Sequence, residues 1–153
     1  YSTRNENSVD VVLFLNGLPI ITIELKNALT GQYLQDAIKQ YINDRDPKEP
    51  LFEFKRCLVH FAVSTEKVSM CTELKGKQTR FLPFNKALVN ENPNGYATAY
   101  LWEDVLQKDS LLDLIQNYIN VQVDKETYWD VKYKALKEKE SIKLIFPRYH
   151  QRR

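Results

Sequence analysis

Apolar residues in the first third of the chain form two short runs and then a helical stripe. Val11–Leu15 and Pro19–Leu25 are aliphatic, β-branched runs of strand length. Asn16-Gly17 lies between them and favours a tight hairpin turn, because both residues tolerate positive φ. The region 32–42 then carries apolar side chains at helical spacing, which predicts an amphipathic helix.

The rest of the chain adds strands and helices of ordinary length. The nearly continuous apolar run Cys57–Ser64 predicts a buried central strand, in which His60 is expected to be a hydrogen-bonded core residue. The order β-β-α-β-β, completed by a strand over 67–72, indicates an α/β (α+β) fold with a mixed central β-sheet flanked by helices. Further on, the sequence predicts a long loop over 81–96, helices over 98–106 and 109–119, and a small strand over 142–146.

Length and composition narrow the class of protein. A chain of 153 residues that is 43% hydrophobic can bury one ordinary core. No apolar run approaches the roughly 20 residues that span a bilayer, so no membrane partner is expected. Cys57 and Cys71 lack CxxC spacing, which favours structural thiols in a reduced, cytoplasmic compartment. The start has neither Met nor a signal peptide, so we expect a piece of a longer protein.

Candidate chemistry lies in the predicted hairpin, where Asp10 precedes the first strand and Glu24-Leu25-Lys26 ends the second. Two carboxylates on one face can hold a hard divalent cation through oxygen ligands. The cation can lower the pKa of a water molecule and stabilise a leaving oxygen. A lysine beside them can orient the attacking water or neutralise a phosphate. This set of groups is suited to metal-dependent cleavage of phosphodiesters.

The register of the hairpin decides whether these residues meet. In a strict two-residue Asn-Gly hairpin, the numbers of opposed residues add up to 33, so that Asp10 would lie opposite Ile23 on the wrong face. An odd-length turn or a β-bulge makes that sum even and places Asp10 beside Glu24. The metal-site interpretation therefore predicts one of these two irregularities.

A purely structural interpretation of the same residues is also open. Carboxylates at strand ends usually lie in solvent, and Glu-x-Lys on an exposed face is often an ion pair of little energetic consequence. Glu24, however, ends a run that has the apolar character of a strand buried on both sides. A charge in that position is costly unless something compensates it, and a bound cation would do so.

Segments along nearly the whole chain, in order, resemble a known family. They resemble the PD-(D/E)xK nuclease superfamily and, closely, the N-terminal nuclease region of the restriction (R) subunit of type I restriction–modification enzymes. The segments that carry the resemblance are Asp10–Pro19, Ile23–Asn27, Arg80–Asn85, Tyr100–Leu106, Asp109–Asp113 and Ile145–Gln151.

This resemblance implies a restriction-endonuclease-like core and roles for individual residues. Asp10 and Glu24 would ligate Mg²⁺, and Lys26 would act at the attacking water or the scissile phosphate. Family members carry a Gln with a Tyr four residues later on the helix after the hairpin, near the site and the DNA. Gln40 matches that glutamine and is a candidate DNA-binding residue, but Asp44 stands where the tyrosine is expected.

The end of the chain resembles the start of an ATP-driven motor. Gln151 would be the glutamine that contacts adenine in the parent protein, which uses ATP. No phosphate-cradling Gly-x-x-x-x-Gly-Lys-Ser/Thr motif occurs in this chain, so we expect it neither to hydrolyse ATP nor to translocate. The implied organisation is a nuclease domain over 1–123, a charged linker over 124–140, and the truncated beginning of the motor over 141–153.

The function that the resemblance implies is a Mg²⁺-dependent endonuclease. It would hydrolyse phosphodiester bonds of unmodified duplex DNA after the motor has translocated the DNA, together with the modification and specificity subunits of the complex. Two alternatives remain open from the residues. One is another PD-(D/E)xK nuclease that acts in DNA repair, and the other is a non-catalytic module that docks DNA or a subunit.

Overall fold

A central five-stranded sheet with helices on both faces forms the body of the protein. The computed structural model describes residue 2, residue 4 and residues 6–152. The strands lie in the order β1-β2-β3-β4-β5; β2 and β3 are parallel and the other neighbours are antiparallel. This mixed sheet confirms the predicted fold class. The elements are β1 (Val11–Leu15), β2 (Leu18–Leu25), α1 (Leu34–Asp44), β3 (Val59–Val63), β4 (Val68–Cys71), β5 (Leu82–Pro83) and α2 (Lys108–Asn117), with a π-helical turn at Leu101–Val105.

The hairpin of β1 and β2 combines a tight turn with a bulge. Asn16 and Gly17 both have positive φ, at 50° and 81°, and connect Leu15 directly to its partner Leu18. The register then shifts, so that Ile20 is an extra residue in β2 and Val11 lies opposite Ile23. The prediction of an odd-length turn or a bulge is therefore confirmed by the bulge.

Helix α1 covers one face of the sheet in the crossover from β2 to β3. Its amphipathic pattern buries Ala37 and Tyr41 against the strands. The Asp36 carboxylate accepts a hydrogen bond of 2.8 Å from the backbone N–H of Tyr33 and so satisfies a donor at the start of the helix. The helix ends at Asp44, three residues before Pro47.

The opposite face of the sheet holds the larger hydrophobic core. Phe61 of β3 packs edge-on against Phe84 and Phe146, with ring centroids 5.2 and 5.9 Å apart. The π-helical turn and α2 contribute buried aliphatic side chains to the same cluster. The segment near the end of the chain thus packs against the core formed by the central strands. The other fully buried members of this core include Ile21, Val59, Val68, Leu101, Val105 and Leu114.

A buried polar network fastens α1 to the sheet. The hydroxyl of Thr22 lies 2.8 Å from the Tyr41 hydroxyl and 2.7 Å from Nδ1 of His60. The Tyr41 hydroxyl also donates to the backbone carbonyl of Phe61 at 3.3 Å. Burial lowers the pKa of His60 to about 4, so its imidazole is neutral at pH 7. His60 is therefore the hydrogen-bonded core residue that its strand predicted.

The segment predicted as a charged linker, 124–140, has regular secondary structure: two strands joined by a turn over 131–134. They belong to a long antiparallel ribbon of β6 (Asn120–Asp130) and β7 (Ala135–Ile145), which also absorbs the small strand predicted over 142–146. Cross-strand pairs such as Lys125–Glu140 and Lys143–Asp124 join oppositely charged side chains. The domain division at 123 and 141 stays a prediction. Among the described residues no helix is long and apolar enough to cross a membrane.

Gly17→Ala should destabilise the folded chain by about 1 kcal/mol, because a Cβ at φ 81° strains the backbone. No atom lies within 4 Å of the position of the added Cβ, so the cost comes from the backbone and not from a clash. Asn16→Gly, the control, should change stability by less than about 0.5 kcal/mol. Urea denaturation of the three proteins measures this, and equal midpoints for Gly17→Ala and the wild type would contradict the strained turn.

His60 should make the folded chain sensitive to acid. Its folded pKa is lowered to about 4, whereas the unfolded chain takes up a proton near pH 6.5. Stability attributable to neutral His60 is therefore complete above pH 6.5 and is lost as the pH falls towards 4. In His60→Asn the stability lost between pH 7 and 4.5 should be smaller by on the order of 2 kcal/mol. Denaturant titrations at both pH values test this, with the exposed His150→Asn as the control expected to behave like the wild type.

Candidate active site

The bulge at Ile20 brings the two predicted carboxylates together at one end of β2. Val11 lies opposite Ile23, so Asp10, one residue earlier, lies next to Glu24, one residue later. Oδ2 of Asp10 accepts a hydrogen bond of 2.7 Å from the backbone N–H of Leu25. This contact holds the Asp10 side chain across the strand pair and leaves its second oxygen available as a ligand. The predicted meeting of Asp10 and Glu24 is therefore present in the structure.

Glu24 is completely buried, as the apolar strand around it predicted, and its partner is Arg45. Nε and Nη2 of Arg45 both donate to Oε1 of Glu24, at 2.8 and 2.5 Å. Arg45 is itself 3% exposed and follows α1 directly. Its Nη2 also donates to the backbone carbonyl of Ser8 at 2.6 Å. The guanidinium thus links β2, the end of α1 and the segment before Asp10.

Arg45 only partly offsets the cost of burying the Glu24 carboxylate in its ionised form. Loss of hydration raises the pKa of Glu24 to about 7, although Arg45 lowers it, and the neighbouring Asp10 raises it further. Oε2 of Glu24 is buried and finds no hydrogen-bond partner among the described residues. A buried acceptor without a partner is uncommon in proteins and requires an explanation. A cation at Oε2 would satisfy the acceptor and favour the ionised carboxylate.

The carboxylate oxygens at this position suit a hard divalent cation that takes only some of its ligands from the protein. Asp10 and Glu24 supply two carboxylates, and the described part of the chain contains no group of three or more His, Cys, Asp and Glu side chains that could hold a metal. Mg²⁺ is commonly bound through one or two carboxylates, with water and substrate phosphates as its other ligands. The two carboxylates and the unpartnered oxygen are consistent with that kind of site and not with a closed structural metal centre.

Lys26 lies one residue beyond β2, where its backbone N–H continues the pairing with β3 through a 2.8 Å bond to the carbonyl of Val63. Strand alternation directs it to the same side as Glu24. Its half-buried side chain borders a polar groove of about 350 Å³ against the outer side of α1. The groove is lined by Lys26, Gly31, Gln32, Asp36, Lys39, Gln40, Asn43 and Asp44.

Gln40 lines the same groove as Lys26 and is half-buried. It also lines a second polar groove of about 480 Å³, formed with Glu6, Asn7 and Ser8. Asp44, which stands where the family pattern has tyrosine, lines both grooves as well. The adjacent Tyr41 instead points inward and is completely buried. Gln40 and Asp44 therefore face the candidate substrate side of the helix.

Gln151 lies outside both grooves, and its surroundings do not test its predicted contact with adenine. The residue is exposed, and its Oε1 accepts a hydrogen bond of 2.9 Å from the backbone N–H of Arg148. The short 3₁₀ turn Tyr149–Gln151 packs on the large core through Tyr149, whose ring lies 5.1 Å from that of Tyr100. The contact with adenine in the parent protein stays a prediction.

Arg45 is the residue of the site that sequence reasoning missed. The sequence predicts the helix only over 32–42 and assigns the compensating charge for Glu24 to a bound cation, so Arg45 is not among the candidate residues. The sequence feature that could have indicated this partner for Glu24 is the single arginine directly after the helix that covers it. An arginine four residues after the inward-facing Tyr41 lies on the side of the helix that faces the sheet.

Comparison with known proteins places the chain in a family. The sequence profile of the family described as "Type I restriction enzyme R protein N terminus" matches residues 1–79, more than half of the 153 residues. The chain is 28% identical over 123 residues to the "Type I restriction enzyme HindI endonuclease subunit" of Haemophilus influenzae, an alignment that covers 75% of this chain and 11% of that protein. The chain thus spans about a tenth of the length of this relative. No solved structure matches it.

The residues of the candidate site fall inside the matched range. Asp10, Glu24, Lys26, Gln40 and Arg45 all lie within residues 1–79. The resemblance described from the sequence is therefore confirmed at the level of the family. The chain belongs to the family of N-terminal regions of type I restriction enzyme R proteins.

Proposed function

We propose that this chain is the Mg²⁺-dependent endonuclease domain of a type I restriction enzyme R subunit. The observation that supports it most directly is the unpartnered, buried Oε2 of Glu24 beside Asp10. A buried carboxylate with a raised pKa and a second carboxylate next to it is a typical functional arrangement. Membership of the R-protein family makes phosphodiester hydrolysis the reaction that best uses these groups.

Each residue has a distinct part in this proposal. Asp10 and Glu24 would hold Mg²⁺, which supplies Lewis-acid stabilisation of charge on the phosphate and lowers the pKa of a nearby water. Lys26 borders the polar groove on the same side as Glu24, where its ammonium neutralises phosphate charge or orients the attacking water. Gln40 lines the same groove and would donate hydrogen bonds to the DNA backbone.

The substrate and partners follow from the family. The substrate would be unmodified duplex DNA that an ATP-driven motor has translocated, in a complex with the modification and specificity subunits. Contacts to phosphate should then supply most of the affinity, and affinity should fall with salt. ATP would serve the motor of the longer protein, with Gln151 near the adenine, and not the nuclease site.

A second candidate function rests on the ion pair of Glu24 with Arg45. A buried carboxylate that already has a guanidinium partner can be a structural element. The chain would then be a docking module for DNA or a subunit, without cleavage activity. The two functions differ in whether a divalent cation binds through Glu24. A repair nuclease of the same superfamily fits the geometry equally well, but the family match disfavours it.

Asp10→Asn, Glu24→Gln and Lys26→Ala should each reduce Mg²⁺-dependent cleavage of plasmid DNA by at least about 100-fold, because each removes several kcal/mol of transition-state stabilisation. The measurement uses the full-length protein that contains this chain, assembled with its partner subunits and ATP. Glu53→Gln and Lys48→Ala, which alter exposed residues, are the matched controls and should cleave like the wild type. DNA-stimulated ATP hydrolysis should be unchanged in every variant.

Unchanged cleavage in all three site variants would rule out the active-site assignment. Loss of complex assembly together with loss of cleavage would instead favour the docking function. Retained assembly and ATP hydrolysis with lost cleavage is the result that the proposed function requires.

A further inference from the structure

We propose that Arg45 is a positioning residue for the metal site, which holds Glu24 by one oxygen and leaves the other for the cation. This inference rests on the proposed function, because it concerns the metal site of Asp10 and Glu24. Neither the family match nor the relative from Haemophilus influenzae assigns a role to this arginine.

Both hydrogen bonds from Arg45 to Glu24 go to the same carboxylate oxygen. An arginine and a carboxylate commonly pair in a fork, with one N–H on each oxygen. Here Nε and Nη2 of Arg45 both donate to Oε1, and Oε2 has no partner in the described part of the chain. Arg45 therefore fixes the orientation of the carboxylate without occupying the oxygen that a metal would use.

The same guanidinium reaches the strand that carries Asp10. Nη2 donates to the backbone carbonyl of Ser8, two residues before Asp10, at 2.6 Å. Asp10 in turn is fixed through Oδ2 by the backbone N–H of Leu25, next to Glu24. Each carboxylate is thus fastened through one oxygen and keeps one for a ligand. Arg45 thereby connects the Glu24 carboxylate to the segment that leads into Asp10.

A simple counter-ion and a positioning residue predict opposite results when Arg45 is changed. A counter-ion competes with the metal for the negative charge of Glu24, so its removal strengthens metal binding. A positioning residue pre-organises the ligand, so its removal weakens binding. Outer-shell partners of metal ligands typically contribute a factor of about 10 to 100 in affinity.

The test is calorimetric titration of the 153-residue chain with Mn²⁺, without DNA, for the wild type, Glu24→Gln, Arg45→Lys and Arg45→Met. Arg45→Lys keeps the charge but cannot contact Glu24 and Ser8 with one planar fork. Arg56→Met, at an exposed arginine, is the matched control. Circular dichroism and the metal-free melting temperature establish that each variant is folded. If Arg45→Met does not fold, Arg45→Lys decides.

The expected result is Mn²⁺ binding that Glu24→Gln abolishes, that Arg45→Lys weakens by about tenfold, and that Arg56→Met leaves unchanged. Equal or tighter binding by folded Arg45→Lys, with binding still dependent on Glu24, would overturn the positioning role and leave the proposed function intact. Absence of Glu24-dependent binding in the wild type would overturn both, because no metal site would exist for Arg45 to organise.

Discussion

The side of the sheet on which the acidic residues lie depends on one extra residue, Ile20, in β2. Up to Pro19 the hairpin keeps the register of its two-residue turn, and from Ile21 onward the register is shifted by one. Without that shift Asp10 would lie opposite Ile23, whose side chain belongs to the large hydrophobic core. Asp10 would then lie on the opposite face from Glu24, and the two carboxylates could not share a ligand. The bulge thus converts an ordinary hairpin into one that gathers two carboxylates on the face covered by α1.

Glu24 occupies a buried position at which its ionised form is costly. The loss of its hydration outweighs the attraction of Arg45, which is why its pKa rises to about 7. Replacing a buried ion pair by apolar residues of similar volume is often neutral or stabilising. Replacing Glu24 alone differs, because it would leave the buried Arg45 guanidinium without its carboxylate and so destabilise the fold. The buried pair is therefore weak evidence for a purely stabilising role, and the unpartnered Oε2 of Glu24 agrees with the proposed nuclease site.

The sequence was most informative where local chemistry decides structure. Asn16-Gly17 and the alternation of β2, taken with the metal-site interpretation, were enough to predict an odd-length turn or a bulge, although not that Ile20 forms it. The pairing of Glu24 with Arg45 was out of reach, because it joins residues 21 positions apart and depends on how α1 lies on the sheet. The ribbon of β6 and β7 was missed because its charged residues alternate in sign and most of its side chains are exposed. Its pairing is stabilised across the strands and not by a buried face, and periodicity arguments detect only the latter.

The groove that faces Lys26 follows from two contacts on the inner side of α1. Tyr41 binds Thr22 and Arg45 binds Glu24, so residues four apart at the helix meet residues two apart on the strand. Both contacts lie on the side of α1 that faces the sheet. They fix the helix in rotation and in translation along β2. The preceding residue in each case, Gln40 and Asp44, is thereby directed to the outer side, where both line the polar grooves. The two polar grooves are thus a consequence of how the helix is held against β2.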